Sequence, residues 1–270
     1  MKKVFLILLM SILAFVILTP FLWMFSTSLK PLPEVNKYPP EWTTPNMSLK
    51  PYTEMFDFLP FGQYTINSLI VAISATLLTL FFGSLAGFAF SRFQFKGKDI
   101  FLLILLLSQM LPGASVIIPL FQLIRKAGLY DTYIGLILTH TAVLLPFVIW
   151  LLYGFFKTIP KEVEDAALID GCSQLEAMRK VLLPLALPGL GATALFAFLG
   201  SWNEFFFALI LTTSDTVRTI PVGIGLFVGE YCDLWNQMSA AAIFFSIPPL
   251  LLFLFMQKTF VKGLSAGALK

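Results

Sequence analysis

The sequence predicts an all-α integral membrane protein with six transmembrane helices and both ends in the cytoplasm. Three observations carry that prediction. Of 270 residues, 58% are hydrophobic and 12% are charged, where a soluble domain has about a quarter of its residues charged; mean hydropathy is +0.86. Apolar runs long enough to cross about 30 Å of hydrocarbon recur along the whole chain. Lysine and arginine favour alternate connections by about two to one, the bias that orients membrane chains. The net charge of +3 is small, and no basic cluster with interleaved aromatics points to nucleic acid. The length suits one membrane domain over residues 1–270 and leaves no room for a large soluble one.

The first apolar run, about residues 4–25, comes after Lys2 and Lys3, which hold the N-terminus inside. It lacks a small-residue cleavage site and reads as a retained helix. Residues 26–64 lie outside: Pro31, Pro33, Pro39, Pro40 and Pro45 forbid a long helix in the first half, leaving an irregular loop with one short helix. Trp42, Tyr52 and Phe56 suit the bilayer interface. The second run, about 65–90, carries Gly83, Ala86, Gly87 and Ala89, a small-residue row that permits close helix packing. Arg92, Lys96 and Lys98 return the chain to the cytoplasm.

The third run, about 99–124, is interrupted by Gln109, Pro112 and Gly113. Broken backbone at membrane depth belongs inside protein or beside a watery cavity, which makes Gln109 a candidate pathway-lining residue; a proline kink packed against neighbours explains the same residues equally well. The fourth run, about 133–156, holds His140, the only histidine, either a hydrogen-bonded core residue or a participant in transport. The fifth, about 185–212, contains Ser201-Trp202-Asn203-Glu204. An ionisable residue within a span marks a functional site, so Asn203 and Glu204 are candidates for the pathway or its gate. A hydrogen bond to another subunit and a snorkelling interfacial acid are the alternatives. Residues 213–238 form a second external segment, about 239–260 the sixth span, and the tail to Lys270 is expected to be short and flexible. Cys172 and Cys232 fall on opposite sides, unpaired and in no metal-ligand spacing.

The stretch 157–184 is polar and mixed in charge, between two apolar runs. Pro160 suits the first turn of a helix, and Glu162, Glu164 and Asp165 then sit at the positive end of its dipole. Val163, Ala166 and Ala167 make a small-residue face, and Gly171 can end the helix in the left-handed conformation. Ser173 to Glu176 reads as a capping box that opens a second helix with an apolar stripe of Leu175, Met178 and Leu182. The expectation is helix, glycine hinge, helix at the membrane surface. An amphipathic loop lying on lipid headgroups would show the same pattern.

Asp165-Ala166-Ala167, Gly171, Val181 and Leu183-Pro184 resemble, in residue type and spacing, the EAA loop of permease subunits of ABC importers. Asp165 stands where that family has Glu, and Val181 where it has Ile. The resemblance implies that 157–184 is a coupling loop. Glu164, Asp165, Ala166, Ala167 and Gly171 would then dock into a cytoplasmic ATPase. Asn67-Ser68-Leu69, Ala89-Phe90-Ser91-Arg92, Gly128-Leu129-Tyr130-Asp131-Thr132, Ser201-Trp202-Asn203-Glu204-Phe205 and Gly263-Leu264-Ser265-Ala266-Gly267-Ala268 are similar to the MalG-like branch of carbohydrate importers. That likeness implies a MalF-like second permease, a pair of ABC ATPase subunits, an extracytoplasmic solute-binding protein and a sugar or sugar-like solute. It also implies residence in the cytoplasmic (inner) membrane. The external segment 213–238 would reach the binding protein, and Ser265 to Lys270 the ATPase. No cofactor is expected on this chain, because no Gly-rich phosphate loop of the G-x-x-x-x-G-K-[ST] kind occurs; ATP and Mg would belong to the partner. A stand-alone ion-coupled transporter would show repeated halves and midplane charges. A membrane enzyme would need clustered His, Asp, Glu or Cys. Neither pattern is present in the sequence.

Overall fold

A computed structural model describes residues 2–228 and 234–268, with backbone alone for 258–268. Gly229, Glu230, Cys232, Asp233, Leu269 and Lys270 lie outside the described residues. The elements are helices: α1 (Lys2–Ser28), α2 (Leu32–Val35), α3 (Lys50–Phe58), α4 (Phe61–Arg92), α5 (Lys98–Ser108), α6 (Gly113–Lys126), α7 (Tyr133–Thr158), α8 (Lys161–Ile169), α9 (Gln174–Ala177), a π turn (Met178–Leu182), α10 (Leu183–Leu185), α11 (Leu187–Trp202), α12 (Phe206–Leu211), α13 (Ile220–Gly225) and α14 (Trp235–Ala268).

Among the described residues, α1, α4, α7 and the stretch Trp235–Gln257 are each long and apolar enough to cross a membrane. Two bent pairs raise the number to six if each counts as one crossing: α5 with α6, at 99°, and Gln174–Leu185 with α11, at 81°. The interruption expected at Gln109–Gly113 is therefore a sharp corner, made where Pro112 adopts ψ 129° ahead of α6. The fifth run departs further from expectation. It is cut at Ala186 and again at Asn203–Phe205, so a continuous helix over 185–212 is replaced by α11 and α12. The first external segment holds two short helices rather than one, and the tail expected to be flexible is helical through Ala268.

The chain divides into two compact units, Met1–Thr65 with Thr219–Pro248 and Ile66–Arg218 with Pro249–Lys270. In the first, Met55, Phe61, Tyr64, Ile220 and Phe227 are buried, and Phe58 stacks on Phe227 at 5.6 Å. Asn236 Nδ2 donates to the Lys30 carbonyl at 3.1 Å, tying the start of α14 to the external segment.

In the second unit α4 lies hard against α7. A Cβ built on Gly83 would come within 2.6 Å of Val148 Cγ1, and one on Gly87 within 3.0 Å of the Tyr153 backbone nitrogen. The small-residue row therefore serves the close approach expected of it. At the end of this pair Phe88, Leu152 and Phe156 form a buried cluster with Met178 and Leu182. The last two come from the polar loop, so that loop is pinned by side chains each worth about 1.5–3 kcal/mol when withdrawn from water.

Candidate functional site

The polar loop folds into two short helices with a left-handed hinge. Pro160 precedes α8 with ψ 141° and blocks continuation of α7. Gly171, at φ +89°, ends α8, and the Cys172 N–H closes back on the Ala167 carbonyl at 3.0 Å. The Ser173 hydroxyl accepts from the Glu176 N–H while the Glu176 carboxylate accepts from the Ser173 N–H, so the predicted capping box is present. Beyond α9 the backbone widens into a π turn over Met178–Leu182 instead of continuing as a clean α-helix. Pro184 lacks the N–H that an α-helix would direct at the Lys180 carbonyl.

The face predicted for α8 divides in two. Glu164 and Ala167 are buried, and Val163 is half-buried. Glu162, Asp165, Ala166 and Ile169 are exposed at helical spacing, Ile169 to 86%. The stripe predicted for the second helix divides likewise: Met178 and Leu182 are buried, but Leu175 is 66% exposed. The helix turns its inward face onto the Phe88–Phe156 cluster, so only one side of each short helix is spent on packing.

Glu164 is buried because Arg92, the last residue of α4, meets it. Arg92 Nε lies 2.6 Å from Glu164 Oε2, with both side chains under 10% exposed. A second arm of the guanidinium donates to the Ile159 carbonyl at 3.1 Å. That carbonyl sits just past the end of α7, where helix acceptors lack partners. The guanidinium thus joins α4 to the end of α7 by a hydrogen bond and to α8 by an ion pair, Nε having no aligned hydrogen-bond partner among the described residues. From the sequence Arg92 counted only as an orienting charge; its partner is 72 positions away and no local pattern announces it.

A second polar cluster lies at the break between α11 and α12. Glu204 Oε1 accepts from the Phe207 N–H at 2.8 Å and Oε2 from the Ala208 N–H at 2.9 Å. The carboxylate therefore satisfies first-turn donors of α12. Its Oε2 lies 3.4 Å from His140 Nε2. His140, 2% exposed, meets the Ser201 hydroxyl through Nδ1 at 2.7 Å. Asn203 is exposed, and its amide turns back to the Leu199 carbonyl at 2.9 Å. The two residues predicted together thus part company, Asn203 finishing α11 and Glu204 starting α12.

Gln109 occupies the corner between α5 and α6 and donates to the Val143 carbonyl at 3.2 Å. With Ser108, Val116, Pro146 and Phe207 it lines a cavity of about 430 Å³. Cys172 is a half-buried free thiol. Among the described residues no group of three His, Cys, Asp or Glu side chains could hold a metal ion.

Residues 79–266 match the family model described as binding-protein-dependent transport system inner membrane component. The chain is 37% identical over 273 aligned positions to the trehalose/maltose transport system permease protein MalG of Thermococcus litoralis, spanning 100% of this chain and 98% of that protein. It is 34% identical over 251 positions to the diacetylchitobiose uptake system permease protein DasC of Streptomyces coelicolor, spanning 93% and 91%. Among solved structures, a chain of a bacterial ABC transporter involved in the import of the acidic polysaccharide alginate superposes with a TM-score of 0.79 over 96% of both chains. At 22% identity this is a likeness of fold.

Proposed function

This chain belongs to the family of binding-protein-dependent transport system inner membrane components, and from that premise we propose that it is the permease subunit of an ATP-driven importer of a carbohydrate or carbohydrate-like solute. Relatives named for trehalose, maltose and diacetylchitobiose support the solute class. In this reading α5 with α6 is one crossing and α11 with α12 another, with Gln174–Leu185 on the cytoplasmic surface before it. That gives six spans with both ends in the cytoplasm, the charge bias sets the orientation, and the membrane is the inner one. A second permease, an ATPase pair and an external binding protein complete the assembly. ATP and Mg reside on the ATPase pair.

One observation carries the coupling role: α8 has a buried side welded to the ends of α4 and α7 and an unspent outer side of Glu162, Asp165, Ala166 and Ile169. An apolar residue as exposed as Ile169, next to an alanine that admits close approach, suits a protein partner better than water. Asp165, Ala166 and Gly171 are therefore the docking residues. Glu164 and Ala167 shape the helix from beneath. When the ATPase pair closes, force on α8 passes through the Arg92 fork into α4 and α7 as a rigid-body shift rather than a local deformation.

The experiment is uptake in vesicles holding the full assembly. Ala166→Trp points a bulky ring outward and leaves the buried side alone, so the chain should reach the membrane normally while ATP-driven uptake falls to background. Undiminished uptake in that variant, or wild-type uptake that continues without ATP, would sink the reading.

A further inference from the structure

A lysine at the end of a membrane helix ordinarily extends its ammonium into water. Lys30, just past the end of α1, turns inward instead and is 3% exposed. Its Nζ donates to the Glu41 carbonyl and lies 4.6 Å from the centre of the Trp23 ring. An ammonium has three N–H donors, and among the described residues this is the hydrogen bond they make. The carboxylates at hand are engaged elsewhere: Glu41 Oε1 pairs with Lys37 at 2.9 Å, and Glu34 Oε1 accepts from the Asn46 amide at 2.6 Å. Lys30 borders a cavity of about 290 Å³, whose wall it shares with Trp23, Glu34, Glu41, Trp235 and Ser239. The wall is built from the end of α1, α2, the loop after it and the start of α14, all within the first compact unit.

The chemistry of this wall selects its occupant. Trp23 carries the ammonium and meets Trp42 edge-on at 4.8 Å, so it is a fixed support. Trp235 is 42% exposed and has no ring partner among the described residues, which leaves an indole free to carry an apolar face. One ammonium stands beside two carboxylates, so the wall offers a phosphate no surplus of positive charge. An acyl chain would leave the buried ammonium without further partners. A neutral ring with hydroxyls at its rim and C–H groups on its face suits the donors, the acceptors and the indole together. The volume lies at the lower end for small-molecule sites and suits one sugar ring rather than an oligosaccharide.

We propose that this cavity binds one neutral sugar ring, with Lys30 donating to ring hydroxyls, Glu41 accepting from them through its second oxygen, and Trp235 stacking on the C–H face. The inference rests on the permease reading for its solute class and for the cavity's opening on the outer side. The site shares no wall residue with the Gln109 cavity.

The test measures occupancy without transport. The complete assembly is placed in lipid nanodiscs with neither ATP nor binding protein. Cys172 and Cys232 are replaced by serine, and Ser239→Cys puts a reporter thiol in the wall. Modification of position 239 by a small water-soluble thiol reagent is read by mass spectrometry. Methyl glucoside should slow it, with half-protection in the millimolar range; glucuronate, a ring of similar size bearing a charge, should protect less at every concentration. Lys30→Met keeps an unbranched stem beside Trp23 and removes the donors. It should raise the half-protecting concentration at least about tenfold, the loss of one charge-assisted hydrogen bond. Trp235→Ala should raise it about threefold, and this exposed position decides the matter if Lys30→Met fails to accumulate. No protection by methyl glucoside, stronger protection by glucuronate, or protection unchanged in either variant would overturn the site. Protection that follows the headgroups of the disc lipids and ignores the sugar would also overturn it, in favour of a lipid. A wild-type assembly that imports no sugar when ATP and binding protein are supplied would overturn the permease reading instead and leave the protection result standing.

Discussion

Among the described residues two acid–base pairs are sunk in the fold, and each fastens a short helix to a long one. Arg92 and Glu164 join α8 to α4 across 2.6 Å; His140 and Glu204 join α12 to α7 across 3.4 Å. The first pair is buried on both sides, and the guanidinium spends a second arm on the Ile159 carbonyl. Arginine keeps its charge at any accessible pH, so that joint can be lost only at the cost of a naked buried carboxylate. In the second pair the carboxylate also accepts from the Phe207 and Ala208 N–H groups, so it keeps backbone partners without the imidazole. By charge, then, the Arg92–Glu164 joint is a weld, and the joint at the α11–α12 break, whose carboxylate keeps two backbone partners, is a catch.

Breaking the weld is the largest effect expected. Glu164→Ala leaves Arg92 buried and unpaired and should destabilise the chain by about 3–5 kcal/mol. Thermal unfolding of the purified complex in detergent reads that loss. The paired replacement Arg92→Met with Glu164→Leu removes both charges at similar volume. It should recover most of the stability, since apolar replacements of buried pairs are often neutral or better, but not the coupling, because the fork to Ile159 is gone. Recovery of uptake together with stability would show that the pair is mere packing and would erase the contrast drawn between the two sites.

The second effect isolates the hinge from the weld. Gly171 sits at φ +89° with open space where a Cβ would go, so substitution there strains backbone without creating a clash. A β-branched residue in this region costs about 1–3 kcal/mol. Gly171→Val should therefore leave the Arg92–Glu164 joint and the membrane level intact while uptake in vesicles falls to background, because the exit angle from α8 changes. Normal uptake would mean that the hinge angle is not transmitted to the partner.

How much of this was legible in the sequence depends on the distance over which each feature is specified. Local features read well. The capping box at Ser173–Glu176, the glycine end of α8, the corner at Pro112 and the small-residue row on α4 are each fixed by residues within a turn or two of one another. The apolar runs were equally plain, since lipid leaves backbone few options. Features set by distant partners did not read. Arg92 looked like one more cytoplasmic charge until the fold brought Glu164 to it, and His140 looked solitary until Ser201 and Glu204 arrived. The faces of α8 and α9 were misjudged for the same reason. Ala166 and Ala167 are alike in residue type, and only the packing of α8 against the rest of the fold, with Glu164 drawn to Arg92, decides which of them turns inward. The break at Asn203–Phe205 had no proline or glycine to announce it. Glu204 makes it possible by taking the backbone donors that the break exposes.

The smallest effect concerns the second helix of the loop, where the charge is in water rather than buried. The Glu176 carboxylate is held down to about 2 by the Ser173 N–H first, then by Lys180 and the Ser173 hydroxyl. A folded value below the ordinary 4.5 means that the ionised form supports the fold. The support is whole above about 4.5 and is lost as pH falls through about 2. Hydrogen-exchange protection of residues 174–177, corrected for intrinsic rates, should decline across that window in wild type. Glu176→Gln should flatten the decline. Ser173→Ala should begin about 1 kcal/mol lower at neutral pH, the ordinary loss for an N-cap. Added salt should weaken the Glu176–Lys180 contact, which spans 2.9 Å on the surface, and leave the joint at Arg92 untouched. If acid or salt loosened α8 as readily as it loosened residues 174–177, the Arg92–Glu164 pair would be a surface contact in disguise, and the division between weld and catch would have to be drawn elsewhere.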